Sequence, residues 1–106
     1  MFYEYRRYQA QAGRRDELVK FMEETVIPFQ VSKGMDVTGS FVDEKDPDIY
    51  IWIRRFENEA QREELYAKVY QSEVWKTEMA PKIDTLFIRE KIAVTRIVPT
   101  PASALQ

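Results

Sequence analysis

The segment from Ile49 to Phe56 constrains the fold more than any other part of this 106-residue chain. It reads Ile-Tyr-Ile-Trp-Ile-Arg-Arg-Phe, so a strand here would carry isoleucines on one face and large aromatic side chains on the other. A strand that is apolar on both faces must be covered on both faces, which is typical of the centre of a sheet. The sequence therefore predicts a layered fold in which another element packs on each side of this strand.

The spacing of apolar residues also predicts regular structure in the rest of the chain. The predicted strands share an alternating pattern and cover Phe2 to Ala10, Met35 to Val42, Ile49 to Phe56 and Leu86 to Val98. The predicted helices have apolar residues three and four apart and cover Arg14 to Lys33 and a segment from Asn58 onward, with a second cap at Ser72. A charged turn over residues 43–48 joins the second and third strands as a hairpin.

Prolines and polar residues predict where the helices bend, begin and end. Pro28 lies inside the first helical pattern, where its ring removes an amide donor and crowds the carbonyl of Glu24, so we expect a kink there. Asn58, three residues before Gln61, resembles a capping box and indicates the start of the second helix. Pro81 is expected to close the short helical piece that follows.

The order strand, helix, strand, strand, helix, strand is the ferredoxin-like βαββαβ arrangement. We expect one α+β domain with a four-stranded antiparallel sheet over residues 1–99, followed by a flexible C-terminal tail over residues 100–106. Right-handed crossovers are expected to place the first and third strands side by side in the centre as a parallel pair, with the second and fourth at the edges. Both helices then pack on one face, and the other face has no cover from its own chain.

The uncovered face predicts a homodimer. The first and third strands would contribute about four large side chains to it, at roughly 150 to 250 Å² each when fully buried. Even half of that area approaches the largest apolar patch of roughly 300 to 600 Å² found on monomers. Two-fold pairing of such faces would bury on the order of 1,600 Å², which suffices for stable association, and would close an α+β barrel. The alternative is a monomer in which tyrosine hydroxyls and arginine stems keep this face hydrated.

Composition excludes several functional classes. The chain has no cysteine and no histidine, which removes thiolate nucleophiles, the usual general base and the commonest haem and zinc ligand, and we expect no metal and no cofactor. Sixteen basic and eighteen acidic residues give a net charge of -2 and no overall basic surface for nucleic acid. A continuous apolar run of roughly 18 residues is absent, and the first residues lack the order of a signal peptide. We therefore expect a cytoplasmic protein that does not bind membranes.

A ligand cleft would need aromatic walls and a few convergent polar groups. The aromatic residues that could line such a cleft are Tyr5, Tyr50, Trp52, Tyr66 and Trp75. Aromatic residues at strand and helix spacings belong to the core far more often than to a site, so core packing is the competing interpretation of each.

Two arginine pairs on the first and third strands offer a site for an anion. Arg6 with Arg54, or Arg7 with Arg55, could clamp a carboxylate or phosphate through bidentate hydrogen bonds. Glu4 lies on the same strand face as Arg6, so an internal ion-pair network is the favoured interpretation and anion binding the other. Glu4 is also the only carboxylate within a strand near the aromatic residues, and nothing else in the sequence indicates a catalytic base.

Residues spread over most of the chain resemble the NIPSNAP family, a branch of the dimeric α+β barrel proteins. The opening run Tyr3-Glu4-Tyr5-Arg6-Arg7-Tyr8 with the later Gly13 is similar to the first strand and turn of that family. The other similar features are Pro28 late in the first helix, Gly34 before the second strand, Ile51-Trp52, and Ser72-Glu73-Val74-Trp75. Family members frequently have a histidine before the glycine that ends the first helix, where this chain has Ser32-Lys33-Gly34.

The resemblance implies two ferredoxin-like halves that join into one barrel, and it implies no settled reaction. We therefore expect a homodimer that binds a small apolar or aromatic molecule in a cleft between helices and sheet. The alternative is a cofactor-independent monooxygenase or isomerase of the dimeric α+β barrel type. An enzyme should have a closed pocket with a polar group, such as Glu4 or an arginine, that has no protein partner, whereas a structural dimer should have those groups paired. A third interpretation, docking of the first helix on a membrane or partner, requires Leu18, Met22 and Phe29 to be exposed.

Overall fold

A computed structural model describes all residues from Met1 to Gln106. Its four strands are β1 (Phe2–Gln9), β2 (Asp36–Val42), β3 (Ile49–Phe56) and β4 (Ala93–Ile97). Its helices are α1 (Arg15–Phe21), α2 (Ile27–Ser32), α3 (Glu59–Tyr70) and α4 (Ala80–Ile83). The α+β ferredoxin-like fold predicted from the order of elements is confirmed. None of the helices has the length and apolar character that crossing a bilayer requires.

The helices form a first helical layer over residues 15–32 and a second over residues 59–83, and each contains a π-helical turn that ends two residues before a proline. Residues Met22–Val26 join α1 to α2, and residues Trp75–Met79 precede α4. Pro28 and Pro81 follow these turns at the second position of α2 and of α4. A proline lacks the amide hydrogen and crowds the carbonyl four residues earlier, and the wider π turn relieves both problems without ending the helix. The expected irregularity near Pro28 is therefore present, and the prediction that Pro81 closes its helix is wrong, because α4 continues to Ile83.

The sheet has the strand order β2-β3-β1-β4, and every neighbouring pair is antiparallel. The predicted four-stranded antiparallel sheet is confirmed, with β1 and β3 in the centre. The expectation that β1 and β3 are parallel is wrong, since Phe2 pairs with Phe56 and Gln9 with Ile49. The βα crossover makes β1 parallel to β2, and the hairpin from β2 then reverses β3.

The last strand is shorter than its sequence pattern predicts. Only Ala93–Ile97 forms a continuous ladder with β1. Upstream, Phe87 makes a single bridge to Ala10, and a 3₁₀ turn over Arg89–Lys91 interrupts the extended chain. The three consecutive charged residues of this turn break the apolar alternation, which accounts for the gap.

The core lies between the helices and the face of the sheet that carries the aromatic residues of β3. Leu18, Met22 and Val26 from the first helical layer are fully buried against Tyr50 and Trp52. A second cluster is formed by Met35, Phe56, Leu65 and Val69, with Phe29 packed against it. The first helix therefore buries its apolar side in the core, which argues against docking of this stripe on a membrane.

The opposite face of the sheet carries Tyr5, Ile51 and Ile53, all half-buried, with Phe41 and Ile97 more exposed at its edges. Residues 100–106 return over one end of this face, where the backbone carbonyl of Gln106 accepts hydrogen bonds from the Tyr3 hydroxyl at 3.0 Å and the Arg55 Nε at 2.9 Å. The rest of the face has no helix over it. The division into a domain and a flexible tail stays a prediction.

Gly34 provides a test of how tightly α3 packs beside the start of β2. Its φ is +106°, and an added Cβ would lie 3.1 Å from Leu65 Cδ2, whereas Gly13 at φ +73° has open space around it. We expect Gly13→Ala to lower the free energy of unfolding by about 1 kcal/mol through backbone strain alone. Gly34→Ala should cost about 2 to 3 kcal/mol, because steric contact adds to greater strain. Urea unfolding of both variants measures the difference, and equal losses would contradict the packing.

Candidate functional site

A cavity of about 160 Å³ lies between the helices and the β1 and β3 face of the sheet. Eight of its ten lining residues are hydrophobic, and both tryptophans of the chain, Trp52 and Trp75, are among them. Tyr8, Tyr70 and Phe87 supply further aromatic wall. The polar lining residues are Arg6 and Arg89, and Arg89 is two-thirds exposed and paired with Asp84. Arg6 is therefore the cation within the cavity wall.

The sheet register places Arg6 directly opposite Trp52, so both side chains leave the same face at neighbouring positions. The indole nitrogen of Trp52 is buried, and no atom accepts its hydrogen. Arg6 donates from Nε to the Tyr8 hydroxyl at 3.0 Å and from Nη1 to the Tyr66 hydroxyl at 3.4 Å. Its only carboxylate neighbour is Glu4, at 3.9 Å. Arg6 is therefore held mainly by two phenol hydroxyls, and its guanidinium lacks a close carboxylate partner.

Glu4 is the centre of a buried ion-pair network beside the cavity. Its side chain is 1% exposed and lies opposite Arg54 in the register of β1 and β3. Arg54 Nη2 donates to Glu4 at 2.7 Å, and Arg62 from α3 donates to the second carboxylate oxygen at 2.6 Å. The Tyr66 hydroxyl donates to the same carboxylate at 2.7 Å. The internal ion-pair network that the sequence predicts is therefore confirmed.

Arg54 is fully buried and is held by neutral groups as well as by Glu4. Nη1 donates to the Gln30 side-chain oxygen at 2.9 Å and to the Tyr70 hydroxyl at 2.7 Å, and Nη2 donates to Tyr66 at 2.6 Å. The guanidinium carbon lies 4.6 Å from the Trp52 ring centroid, within the range of a cation–π contact. Only its Nε lacks a partner. Glu4, Arg54, Arg62, Tyr66, Tyr70 and Gln30 form a polar layer, which therefore connects β3 to α2 and α3.

Burial alone would raise the pKa of the Glu4 carboxyl. The hydrogen bond from Arg62 and the charge of Arg54 outweigh it, so the pKa of Glu4 lies below its ordinary value. Burial raises the pKa of the Tyr66 phenol to about 12, although the charge of Arg54 opposes the rise. Glu4 is therefore ionised and fully engaged near neutral pH, and Tyr66 is a neutral hydrogen-bond donor.

The structure separates the predicted site residues into four environments. Arg6, Trp52 and Trp75 line the cavity. Arg54 and Tyr66 lie in the adjoining polar layer, and Tyr50 lies farther along β3, with its hydroxyl 2.7 Å from that of Ser40. Tyr5 lies on the opposite face of the sheet, where it pairs with Ile53. Arg7 and Arg55 also lie on that face and do not reach the cavity.

Sequence reasoning did not identify three residues that complete this region: Tyr8, Tyr70 and Gln30. Tyr8 is two residues after Arg6 and so shares its strand face, and Tyr70 is four residues after Tyr66 and so shares its helix face. Gln30 continues the buried stripe of Met22 and Val26 with a polar side chain, and it is fully buried. An amide in such a stripe signals a buried hydrogen-bond partner, which here is Arg54.

The sequence profile of the NIPSNAP family matches residues 3–104. The chain belongs to the NIPSNAP family. It is 27% identical to a NIPSNAP family protein of unknown function from Agrobacterium tumefaciens, with a TM-score of 0.89 over 100% of this chain and 94% of that one. A second NIPSNAP family protein from that organism is 24% identical, with a TM-score of 0.87 over 99% and 98% of the two chains. No curated protein matches the sequence.

An antibiotic biosynthesis monooxygenase shares the fold of this NIPSNAP protein. The two are 18% identical, with a TM-score of 0.68 over 95% of this chain and 100% of that one. Similarity at this level concerns the fold and not the chemistry. The relation agrees with the ferredoxin-like architecture predicted from the order of elements.

The network predicts a large stability loss when its single central carboxylate is removed. Glu4→Gln leaves Arg54 buried beside an uncharged partner, so the free energy of unfolding should fall by about 3 to 5 kcal/mol. Glu57→Gln is the matched control, because Glu57 pairs with the neighbouring Arg55 at the exposed surface and its loss should change little. Urea unfolding at pH 7 measures both variants. Equal effects would show that the buried pair has no special role.

The lowered pKa of Glu4 predicts a pH dependence that Glu4→Gln removes. As pH falls, the unfolded carboxyl takes up a proton near its ordinary pKa of 4.5, before the folded one does. The stabilisation is therefore fully present above about pH 4.5 and is lost as pH falls through the lowered pKa of the folded state. The difference in unfolding free energy between wild type and Glu4→Gln should therefore narrow steadily as the pH falls below about 4.5. A constant difference would contradict the assignment.

Proposed function

We propose that this NIPSNAP protein is a cytoplasmic homodimer that binds a small apolar or aromatic molecule in the cleft between its helices and its sheet. The observation that carries this proposal is the cavity of about 160 Å³ with predominantly hydrophobic walls. Small-molecule sites are concave and mostly apolar, with a few polar groups that fix orientation. Arg6 is such a group.

The size of the cavity supports a small ligand. An engineered apolar cavity of about 150 Å³ in another protein holds one benzene molecule. The present cavity has a similar volume and is lined by aromatic rings, among them Trp75, which meets the Tyr70 ring edge-on at a centroid distance of 4.9 Å. Edge-on and offset aromatic contacts of this kind suit a planar guest. One ring with a short substituent is the expected occupant.

The uncovered face of the sheet supports the homodimer. Tyr5, Ile51 and Ile53 are half-buried there, and Phe41 and Ile97 are 53% and 41% exposed at its two edges. A second copy that lies over this face would remove a contiguous apolar surface from water, which is the usual reason for two-fold association. The absence of cysteine means that neither the fold nor this contact depends on an oxidising compartment, which supports the cytoplasmic location.

The contacts of Glu4 favour binding over the monooxygenase or isomerase alternative. Proton abstraction from a substrate needs a base that is free to accept the proton. Glu4 already accepts from Arg54, Arg62 and Tyr66, and its pKa is lowered. The polar residues of the cavity wall, Arg6 and Arg89, are donors, which suits recognition of an acceptor on a ligand.

Native mass spectrometry of protein purified from its own host tests both parts of the proposal. The wild type should give a dimer that carries additional small-molecule mass, which is absent after denaturation. Val26→Phe fills the cavity from the first helix and should abolish the additional mass, whereas Val31→Phe places the same ring at an exposed position of that helix and should retain it. Spectra without additional mass, or an unchanged load in Val26→Phe, would contradict the binding proposal.

The same spectra test the interface with charge substitutions. Phe41→Glu introduces a carboxylate at the open face and should shift the population from dimer to monomer. Val31→Glu is the control, because Val31 is similarly exposed but lies on α2, away from that face. A wild type that is monomeric at every concentration, or a dimer that Phe41→Glu leaves intact, would reject the proposed interface.

A further inference from the structure

Excess positive charge beside the cavity identifies the chemistry of its occupant. The guanidiniums of Arg6, Arg54 and Arg62 all lie within 4 Å of the single Glu4 carboxylate. Arg62 has a second carboxylate partner in Glu59, at 3.2 Å, and Glu59 also pairs with Arg96. Four guanidiniums therefore share two carboxylates beside the cavity. An anion that entered the cavity would be attracted rather than repelled.

Arg6 is the least compensated of these guanidiniums. Its carboxylate contact of 3.9 Å is long, whereas Arg54 and Arg62 contact Glu4 at 2.7 and 2.6 Å. Arg6 is also the member whose side chain lines the cavity, and the exposed fraction of that side chain is only 16%. A largely buried guanidinium without a close counter-ion is costly, and a bound carboxylate would offset that cost.

Trp52 supplies a flat wall beside Arg6. It lies directly across from Arg6 in the sheet, is only 1% exposed and lines the cavity. Its indole nitrogen is buried rather than open to the cavity, so the polar contact with an occupant falls to Arg6. A carboxylate has two acceptor oxygens, and both can accept hydrogen bonds from one guanidinium while the attached ring packs against the indole.

We infer that the occupant of this cavity is a carboxylic acid anion on a single planar or aromatic ring, with its carboxylate on Arg6 and its ring against Trp52 and the other aromatic walls. This inference rests on the proposed small-molecule function and adds the chemical class of the ligand. The planar guanidinium fork matches the geometry of a carboxylate, and the volume of the cavity limits the apolar part to about one ring.

Titration with benzoate and with benzamide tests the inference, because the two have nearly the same shape and differ in charge. Both tryptophans line the cavity, so intrinsic tryptophan fluorescence reports its occupancy. Benzoate should give a saturable change at pH 7, and benzamide should bind about tenfold to a hundredfold more weakly, as expected for loss of a hydrogen bond to a charged group. Arg6→Met should remove this preference while the variant still binds benzamide.

Arg7→Met is the matched control, since Arg7 is the next residue of β1 and lies on the opposite face, so the preference for benzoate should persist. Trp52→Phe keeps an aromatic wall beside Arg6, so the preference for benzoate should persist, read from Trp75. Equal binding of benzamide and benzoate would overturn the inference and leave the proposed function intact. If neither benzoate nor benzamide binds, the inference is also overturned. Native mass spectrometry then decides separately whether the cavity holds another molecule.

Discussion

The contact between Glu4 and Arg54 is the interaction on which the rest of the structure depends. It joins the two central strands at directly opposed positions. These side chains also hydrogen-bond to Tyr66 of α3 and to Gln30 of α2. A buried ion pair contributes little stability compared with an apolar pair of the same shape, but losing one partner is strongly destabilising. Its effect is to specify one arrangement of strands and helices out of the several that an aromatic core would tolerate.

The sequence was sufficient to predict the order of strands and helices, because the spacing of apolar residues agrees with the positions of the residues that end strands and helices. The doubly apolar β3, the alternation in β1 and the helix stop at Gly34 each predict their elements correctly. The predicted direction of the central pair was wrong, although the predicted connections determine it: the crossover makes β1 parallel to β2, and the hairpin then reverses β3. The predicted length of β4 was wrong because it joined the apolar residues on both sides of a charged 3₁₀ turn into one strand.

The candidate site was predictable only in part, for a related reason. Arg6, Trp52 and Trp75 could be proposed from residue type and strand face, whereas the convergence of Tyr70 and Gln30 depends on how two helices cross the sheet. The ion-pair network shows which part of the site the sequence leaves undetermined. The alternation of β1 places Glu4 and Arg6 together, but the partner on β3 is set by register, and a shift of one residue would present Arg55 instead.

The strand register fixed by this ion pair also places the cavity residues and the residues of the proposed dimer interface on opposite faces of β1. Glu4, Arg6 and Tyr8 of β1 face the helices and the cavity, while Tyr5 and Arg7 face the uncovered side. A slip of one residue would exchange the two sets, placing Arg7 in the cavity and Glu4 on the face proposed for dimerisation. Ligand binding and self-association, as proposed for this family member, therefore depend on the same buried contact, although they use opposite faces of the sheet. Both faces are formed by the same strands. A substitution that breaks the contact between Glu4 and Arg54 should therefore weaken both ligand binding and self-association.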